Sequence, residues 1–262
     1  MPSAILRAGD DHVAPIMCVH PVSGRAADYQ LLADALDWPG PVLGISAPEP
    51  ASDTRKPGER LTDLASAYGD ELDLRVPHLL LGWSIGGVLA AELSRIIVAR
   101  GGMVNFLGVL DSRAPQPEMQ NRPTDRDTLA RSFLHQMALT REREPVAPPA
   151  SSRPGDLLAA LRALGAGDEF GDEAEVERRL QVFMGLIRAL FHHVQQPVPV
   201  KLHLFESADA HPSHPKPPTL GWDDLAPSVE RHVVAGTHFT LLAPHRIESL
   251  ARTISRCLPH RY

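Results

Sequence analysis

Short, uninterrupted apolar runs alternate with helix-patterned stretches along most of this chain. The runs occupy 16–20, 42–45, 78–81, 104–110, 200–205 and 231–234, with a weaker candidate at 4–6. Several lack any polar alternation, which is the pattern of a strand covered on both faces. Between them, 27–36, 61–74 and 85–100 carry apolar residues at three- and four-residue spacing. Gly101 and Gly102 suit a left-handed cap on the third of these helices. A last helix is expected over 244–256, with Pro244 in its first turn, where a missing amide hydrogen costs nothing. Strand and helix in this alternation imply an α/β fold: a mostly parallel sheet with helices on both faces. A chain of 262 residues is long enough for one such domain with a generous core.

One segment breaks the alternation. From Arg113 to Gln196 there is no strand pattern, only helical patterns over 124–140, 156–164 and 173–194. The linker Glu144-Pro-Val-Ala-Pro-Pro-Ala-Ser-Ser-Arg-Pro is too rich in proline for a helix or a central strand. An all-helical insertion between two strands of a sheet reads as a lid, here about 113–197, within a single domain spanning 1–262. An independent helical domain is the alternative.

Composition narrows the partners. A net charge of −6 with no basic run offers no electrostatic footprint for nucleic acid. No window approaches the roughly 18 apolar residues of a membrane span. The N-terminal Met-Pro-Ser-Ala-Ile-Leu-Arg lacks the basic and apolar regions of a signal peptide. The 2 cysteines, Cys18 and Cys257, form neither a CxxC pair nor a metal-spaced cluster. A cytoplasmic monomer without metal or cofactor of its own is therefore the expectation.

The chemistry is written in Leu-Leu-Leu-Gly82-Trp83-Ser84-Ile85-Gly86-Gly87. A bare Gly-x-Ser-x-Gly is a weak signal, but here a buried-strand run precedes it and a helix pattern follows. Strand, sharp turn and helix is the setting of a nucleophile elbow. A serine hydroxyl attacks only if a base takes its proton, and the base needs a carboxylate to hold its tautomer. In Gly-Thr-His238-Phe, His238 follows the last strand and precedes the last helix, at the edge where open α/β sheets assemble their sites. His232 falls within a strand and His245 within the last helix. His192 and His193, near the end of the lid, suit solvent or substrate contact better. For the acid, Asp111 ends the run 104–110, and burial there demands a partner such as histidine. Asp209 and Glu206, after the following strand, are the alternatives. The oxyanion of acyl transfer needs preorganised amides. Ile85 supplies one at a helix N-terminus. The loop His20-Pro21-Val22-Ser23-Gly24 supplies the second from Val22, with Ser23 as fallback, because Pro21 has no amide hydrogen.

Together, His-Pro-Val-Ser-Gly, Leu-Leu-Gly-Trp-Ser-Ile-Gly-Gly, Phe-Leu-Gly-Val-Leu-Asp-Ser and Gly-Thr-His-Phe-Thr-Leu-Leu resemble the type I thioesterase domains that end non-ribosomal peptide synthetases and some polyketide synthases. These domains have the α/β-hydrolase fold, and the strongest likeness is to those of enterobactin-type siderophore synthetases. The resemblance covers nearly the whole chain, helical insertion included. It implies that Ser84 accepts an acyl or peptidyl chain from the 4′-phosphopantetheine of a carrier protein, for release by water or by an internal nucleophile. The resemblance implies the carrier protein as a partner; this chain carries no carrier-protein domain, so it is expected either as a piece of a larger synthetase or as a separate protein. Type II editing thioesterases usually read Gly-His-Ser-Met-Gly-Ala at the elbow and take their acid after the next strand. Trp83, Ile85, Gly87 and Asp111 favour the chain-terminating type. A type II enzyme, a general carboxylesterase and an inactive hydrolase fold used for binding are the competing readings.

Overall fold

The apolar runs pair into one seven-stranded sheet in a computed structural model that describes residues 3–48, 60–147, 149–209 and 217–259. Met1 and Pro2 of the N-terminal segment, and Pro148 of the proline-rich linker, lie outside the described residues. The strands are β1 (Ser3–Arg7), β2 (Ile16–Val19), β3 (Val42–Ile45), β4 (Pro77–Trp83), β5 (Met103–Leu110), β6 (Leu202–Ser207) and β7 (Val229–Val234). Their order across the sheet is β1-β3-β2-β4-β5-β6-β7. β1 runs antiparallel to β3, and every other pairing is parallel. β4 sits at the centre, and its residues from His78 to Trp83 are all buried, as its unbroken apolar run requires.

Both faces are covered, each by its own set of helices. Leu80 of β4 and Val109 of β5 pack under α2 (Leu61–Gly69) and α3 (Ile85–Ala99). Leu79, Leu81 and Trp83 turn to the other face, against α1 (Gln30–Ala35) and α8 (Ile247–Ser255). Between β5 and β6 lie four helices: α4 (Arg126–Thr140), α5 (Pro154–Ala163), α6 (Gly167–Phe170) and α7 (Glu173–Phe191). Their apolar sides, among them Phe133, Leu161, Phe170, Leu180 and Phe183, join the core on the α2–α3 face. Asp125 and Asp172 cap α4 and α7 by accepting from the amides of Thr128 and Glu175.

Several element limits differ from the sequence expectations by two or three residues, and three differences stand out. α2 stops at Gly69, five residues early, and Leu72 and Leu74 reach the same core from irregular chain. α6 has only 4 residues, too few to show a period. Pro244 and His245 precede α8 rather than belonging to it. The segment 240–246 folds as successive turns, with Ala243 N donating to Thr240 O and Arg246 N to Ala243 O.

One buried side chain ties the ends of two central strands together. The Tyr29 hydroxyl donates to Val19 O at 2.7 Å and accepts from Trp83 N, also at 2.7 Å. Complete burial holds its pKa well above the ordinary phenol value, so the donor proton is always present. Tyr29→Phe deprives two buried backbone groups of their shared partner and is expected to cost about 1–3 kcal/mol. The measurement is the urea midpoint at constant m; an unchanged midpoint would show that this bridge contributes nothing.

Candidate active site

The elbow is built by close backbone packing around Ser84. Ser84 stands between β4 and α3 with φ 57° and ψ −129°, a conformation that side-chain-bearing residues avoid at an energy of about 1–3 kcal/mol. The neighbouring glycines make it feasible. A Cβ on Gly82 would lie 2.0 Å from Gly86 O, and one on Gly86 would lie 2.4 Å from Val19 O. Ser84 N donates to Leu110 O at 3.1 Å, and Gly87 N donates to Ser84 O at 2.9 Å.

Two further strand ends bring partners to the hydroxyl. Ser84 Oγ is 3.1 Å from His238 Nε2. His238 Nδ1 is 3.1 Å from Asp111 Oδ2 and 3.0 Å from Asp111 O. Both neighbours of Nδ1 are acceptors, so Nδ1 carries the proton and Nε2 is left free to accept from Ser84. Asp111 is buried, as expected from its place at the end of β5, and has a left-handed φ of 43°. Its Oδ1 accepts from the Ser207 amide at 2.8 Å. The Trp83 indole donates to His238 O at 3.0 Å, which fixes the loop that carries the imidazole.

Ile85 follows Ser84 directly in the chain, and Val22 lines the same cavity as Trp83. Ile85 is the first residue of α3, where amides have no partner within the helix. Val22 is buried in the turn closed by Gly24 N donating to Pro21 O at 3.0 Å. Sequence reasoning gave no role to His20, yet it braces this turn. His20 Nδ1 donates to Pro21 O at 2.9 Å, and Nε2 accepts from the Tyr68 hydroxyl at 2.8 Å. Tyr68, 48 residues away on α2, left no signal in the sequence. Tyr29 and the Ser207 amide were equally invisible there.

A cavity of about 560 Å³ opens beside the group, lined by Val22, Trp83 and Phe239 and roofed by Phe133, Met137 and Phe183 of the helical insertion. Part of its lining is charged. Glu169 of α6 pairs with Arg25 at 3.1 Å, with Arg179 at 2.9 Å and with Arg141.

The other sequence candidates are placed elsewhere. Asp209 is exposed beyond β6, and its amide donates to Gly236 O. Glu206 is buried and paired with Arg231. His232 is in β7 as expected. His193 corrects the expectation of a solvent or substrate contact: it is buried, with Nε2 3.4 Å from Glu92 Oε1 on α3. His192 lines a separate cavity of about 330 Å³ with His193.

An elbow serine, a histidine after the last strand and this sheet order define an α/β hydrolase, and solved structures agree in fold. The chain superposes on holo-AB3403, a four-domain nonribosomal peptide synthetase, with TM-score 0.86 at 21% identity, covering 99% of this chain and 20% of that one. It superposes on the NocB thioesterase domain, in covalent complex with a fluorophosphonate nocardicin G analogue, with TM-score 0.68 at 21% identity over 96% and 97% of the two chains. The thioesterase domain family matches residues 14–258, and the chain belongs to that family. It is 31% identical over 199 residues to Thioesterase pytI of Aspergillus terreus, covering 69% of this chain and 64% of that protein. It is 34% identical over 106 residues to Enterobactin synthase component F of Escherichia coli (strain K12), covering 39% of this chain and 8% of that protein. The chain thus spans less than two thirds of the length of these relatives. Among the described residues, no helix is long and apolar enough to cross a membrane.

His20 gives this site an acid sensitivity. Burial lowers its pKa from 6.5 to about 4, against the opposing hydrogen bond to Pro21 O. Between those values the unfolded chain binds a proton that the folded chain refuses. Stability is therefore full above about pH 6.5 and falls by up to about 3 kcal/mol as pH drops towards 4. Urea midpoints between pH 7 and pH 4.5 should show this slope, and His20→Asn should flatten it. An equal slope in the variant would assign the effect to other groups.

Proposed function

We propose that this chain is a serine thioesterase that releases an acyl or peptidyl chain from the 4′-phosphopantetheine of a carrier protein in non-ribosomal peptide or polyketide biosynthesis. The carrying observation is the run of contacts Ser84 Oγ, His238 Nε2, His238 Nδ1 and Asp111 Oδ2 beside a roofed cavity. Family membership supplies the thioester chemistry, and relatives named as synthetases supply the class of substrate.

In this reading His238 Nε2 takes the Ser84 proton as Oγ attacks the thioester carbonyl. The tetrahedral oxyanion accepts from the amides of Val22 and Ile85. Asp111, held by the Ser207 amide, keeps the His238 proton on Nδ1 and stabilises the imidazolium. The C–S bond then breaks, and His238 Nε2–H protonates the departing pantetheine thiolate. Water, or a hydroxyl or amine of the chain itself, next gives its proton to Nε2 and attacks the Ser84 ester. Collapse returns the proton to Ser84 and frees an acid or a macrocycle. The cavity walls suit a partly apolar chain, with polar groups directed to Arg25, Glu169 and Arg179. Helices α4 to α7 serve as the lid over it.

Ser84→Ala and His238→Ala are expected to lower hydrolysis of an acyl-N-acetylcysteamine thioester by about 10⁴- to 10⁶-fold. Ser84→Ala should also abolish labelling by a fluorophosphonate. Asp111→Asn should be severe and Asp209→Asn nearly silent; the reverse result would reassign the acid. A strong preference for a plain p-nitrophenyl ester over the thioester would overturn the thioesterase reading in favour of a carboxylesterase.

A further inference from the structure

At the β7 edge of the sheet, away from Ser84, three side chains with metal-binding atoms converge, with Glu230 beside two of them. His203 of β6 stands in register with Glu230 of β7, and His232 shares the face of Glu230 because strand side chains alternate. Cys257, two residues past the end of α8, closes over them. His203 Nδ1 lies 3.3 Å from His232 Nε2, and Cys257 Sγ lies 3.5 Å from that same nitrogen. Glu230 reaches both rings, Oε2 at 3.7 Å from His203 Nδ1 and Oε1 at 3.7 Å from His232 Nε2. Among the described residues, His203, His232 and Cys257 form the one group of three or more such side chains whose donor atoms all lie within 4.8 Å of one another.

We infer that His203, His232 and Cys257 bind a divalent d-block cation of the zinc class in a structural site, with water as the fourth ligand. Zinc bonds of about 2.0–2.1 Å to nitrogen and about 2.3 Å to sulfur put tetrahedral ligand atoms about 3.4 Å apart for N and N, and about 3.6 Å for N and S. The distances of 3.3 and 3.5 Å match those edges. Without an ion, the Cys257 thiol donates to Thr253 O at 3.2 Å, a hydrogen bond that ligation as thiolate gives up. His232 Nε2 has a single lone pair or a single proton, so it serves one of its two close neighbours, whereas a cation serves both. Two imidazoles and a thiolate form a borderline-soft set that suits zinc and disfavours calcium or magnesium, which require several oxygens.

The surroundings hold the ligands in place. Phe106 stacks on His203 at 5.1 Å and Phe205 on His232 at 4.9 Å between ring centres. Lys201 Nζ, 2.5 Å from Glu230 Oε2, orients the carboxylate. Binding forms one metal–sulfur bond and releases the Cys257 thiol proton to solvent, while the imidazoles bind neutral. The ligands sit 29 and 25 residues apart in sequence, a spacing that matches no metal motif. The ion would fasten the end of α8 to the edge strand. His203 lies four residues before Ser207 on β6, about 13 Å at about 3.3 Å per residue, so the role is structural rather than catalytic.

The test uses the full chain without a histidine tag, stripped with a chelator. Calorimetry with Zn²⁺ should give one ion per chain at micromolar affinity or tighter, with a rise in Tm. Co²⁺ should give the near-ultraviolet thiolate-to-cobalt band of a tetrahedral site. Cys257→Ser should abolish that band, and both Cys257→Ser and His232→Gln should weaken Zn²⁺ at least about 10-fold. Ser84→Ala should bind as the unaltered chain does. Absence of saturable binding by the unaltered chain overturns the inference. So does an unchanged band in Cys257→Ser, or unchanged affinity in His232→Gln, since the ion would then lie elsewhere.

Discussion

The turn at Ser84 exists because two glycine Cα atoms are allowed against neighbouring backbone. Gly82 meets the carbonyl of Gly86, and Gly86 meets the carbonyl of Val19, at distances no side chain could share. That contact presses the start of α3 against the end of β2, and it places the elbow beside the loop that carries Val22. The Tyr29 hydroxyl binds the same two strand ends from the opposite face. With the backbone fixed this tightly, the strain at Ser84 is carried by the packed sheet rather than by the site.

Position along each strand does the remaining assembly. Asp111, Ser207 and His238 all lie at or beyond strand C-termini, and the parallel register of β5, β6 and β7 brings those ends together. Asp111 is held through its own amide by Phe205 O and through its carboxylate by the Ser207 amide. Neighbouring backbone thus fixes the carboxylate independently of the histidine. A buried acid with two such supports stays in register with the imidazole.

The sequence was most legible where local pattern and tertiary role coincide. An apolar run such as 104–110, flanked by helix patterns, reads as a strand covered on both faces, and the Gly82–Gly86 spacing between a strand run and a helix pattern reads as a tight turn. Ser84, Asp111, His238, Val22 and Ile85 could be named because each follows or opens a regular element. Legibility failed where contacts span long separations without local signature. His20 with Tyr68, Tyr29 with Trp83 and Asp111 with Ser207 are joined by 48, 54 and 96 residues of chain. It also failed at element ends. Leu72 and Leu74 continue the apolar rhythm of α2 after the helix has stopped, and Pro244 occupies a run of turns that mimics a helix start. His193 misled because a histidine beside a proline-rich exit reads as solvated, while the fold buries it against Glu92.

Glu169 holds three arginines at once, and one of them, Arg25, is three residues from Val22. All of these partners are partly exposed, so water and salt keep each attraction weak. The roof of the cavity is therefore latched to the loop that carries Val22 by contacts that are easily released and easily remade. Lifting α6 removes the ion pair that steadies the loop carrying Val22. Any displacement of α6 is therefore coupled, through this one ion pair, to the loop that carries Val22.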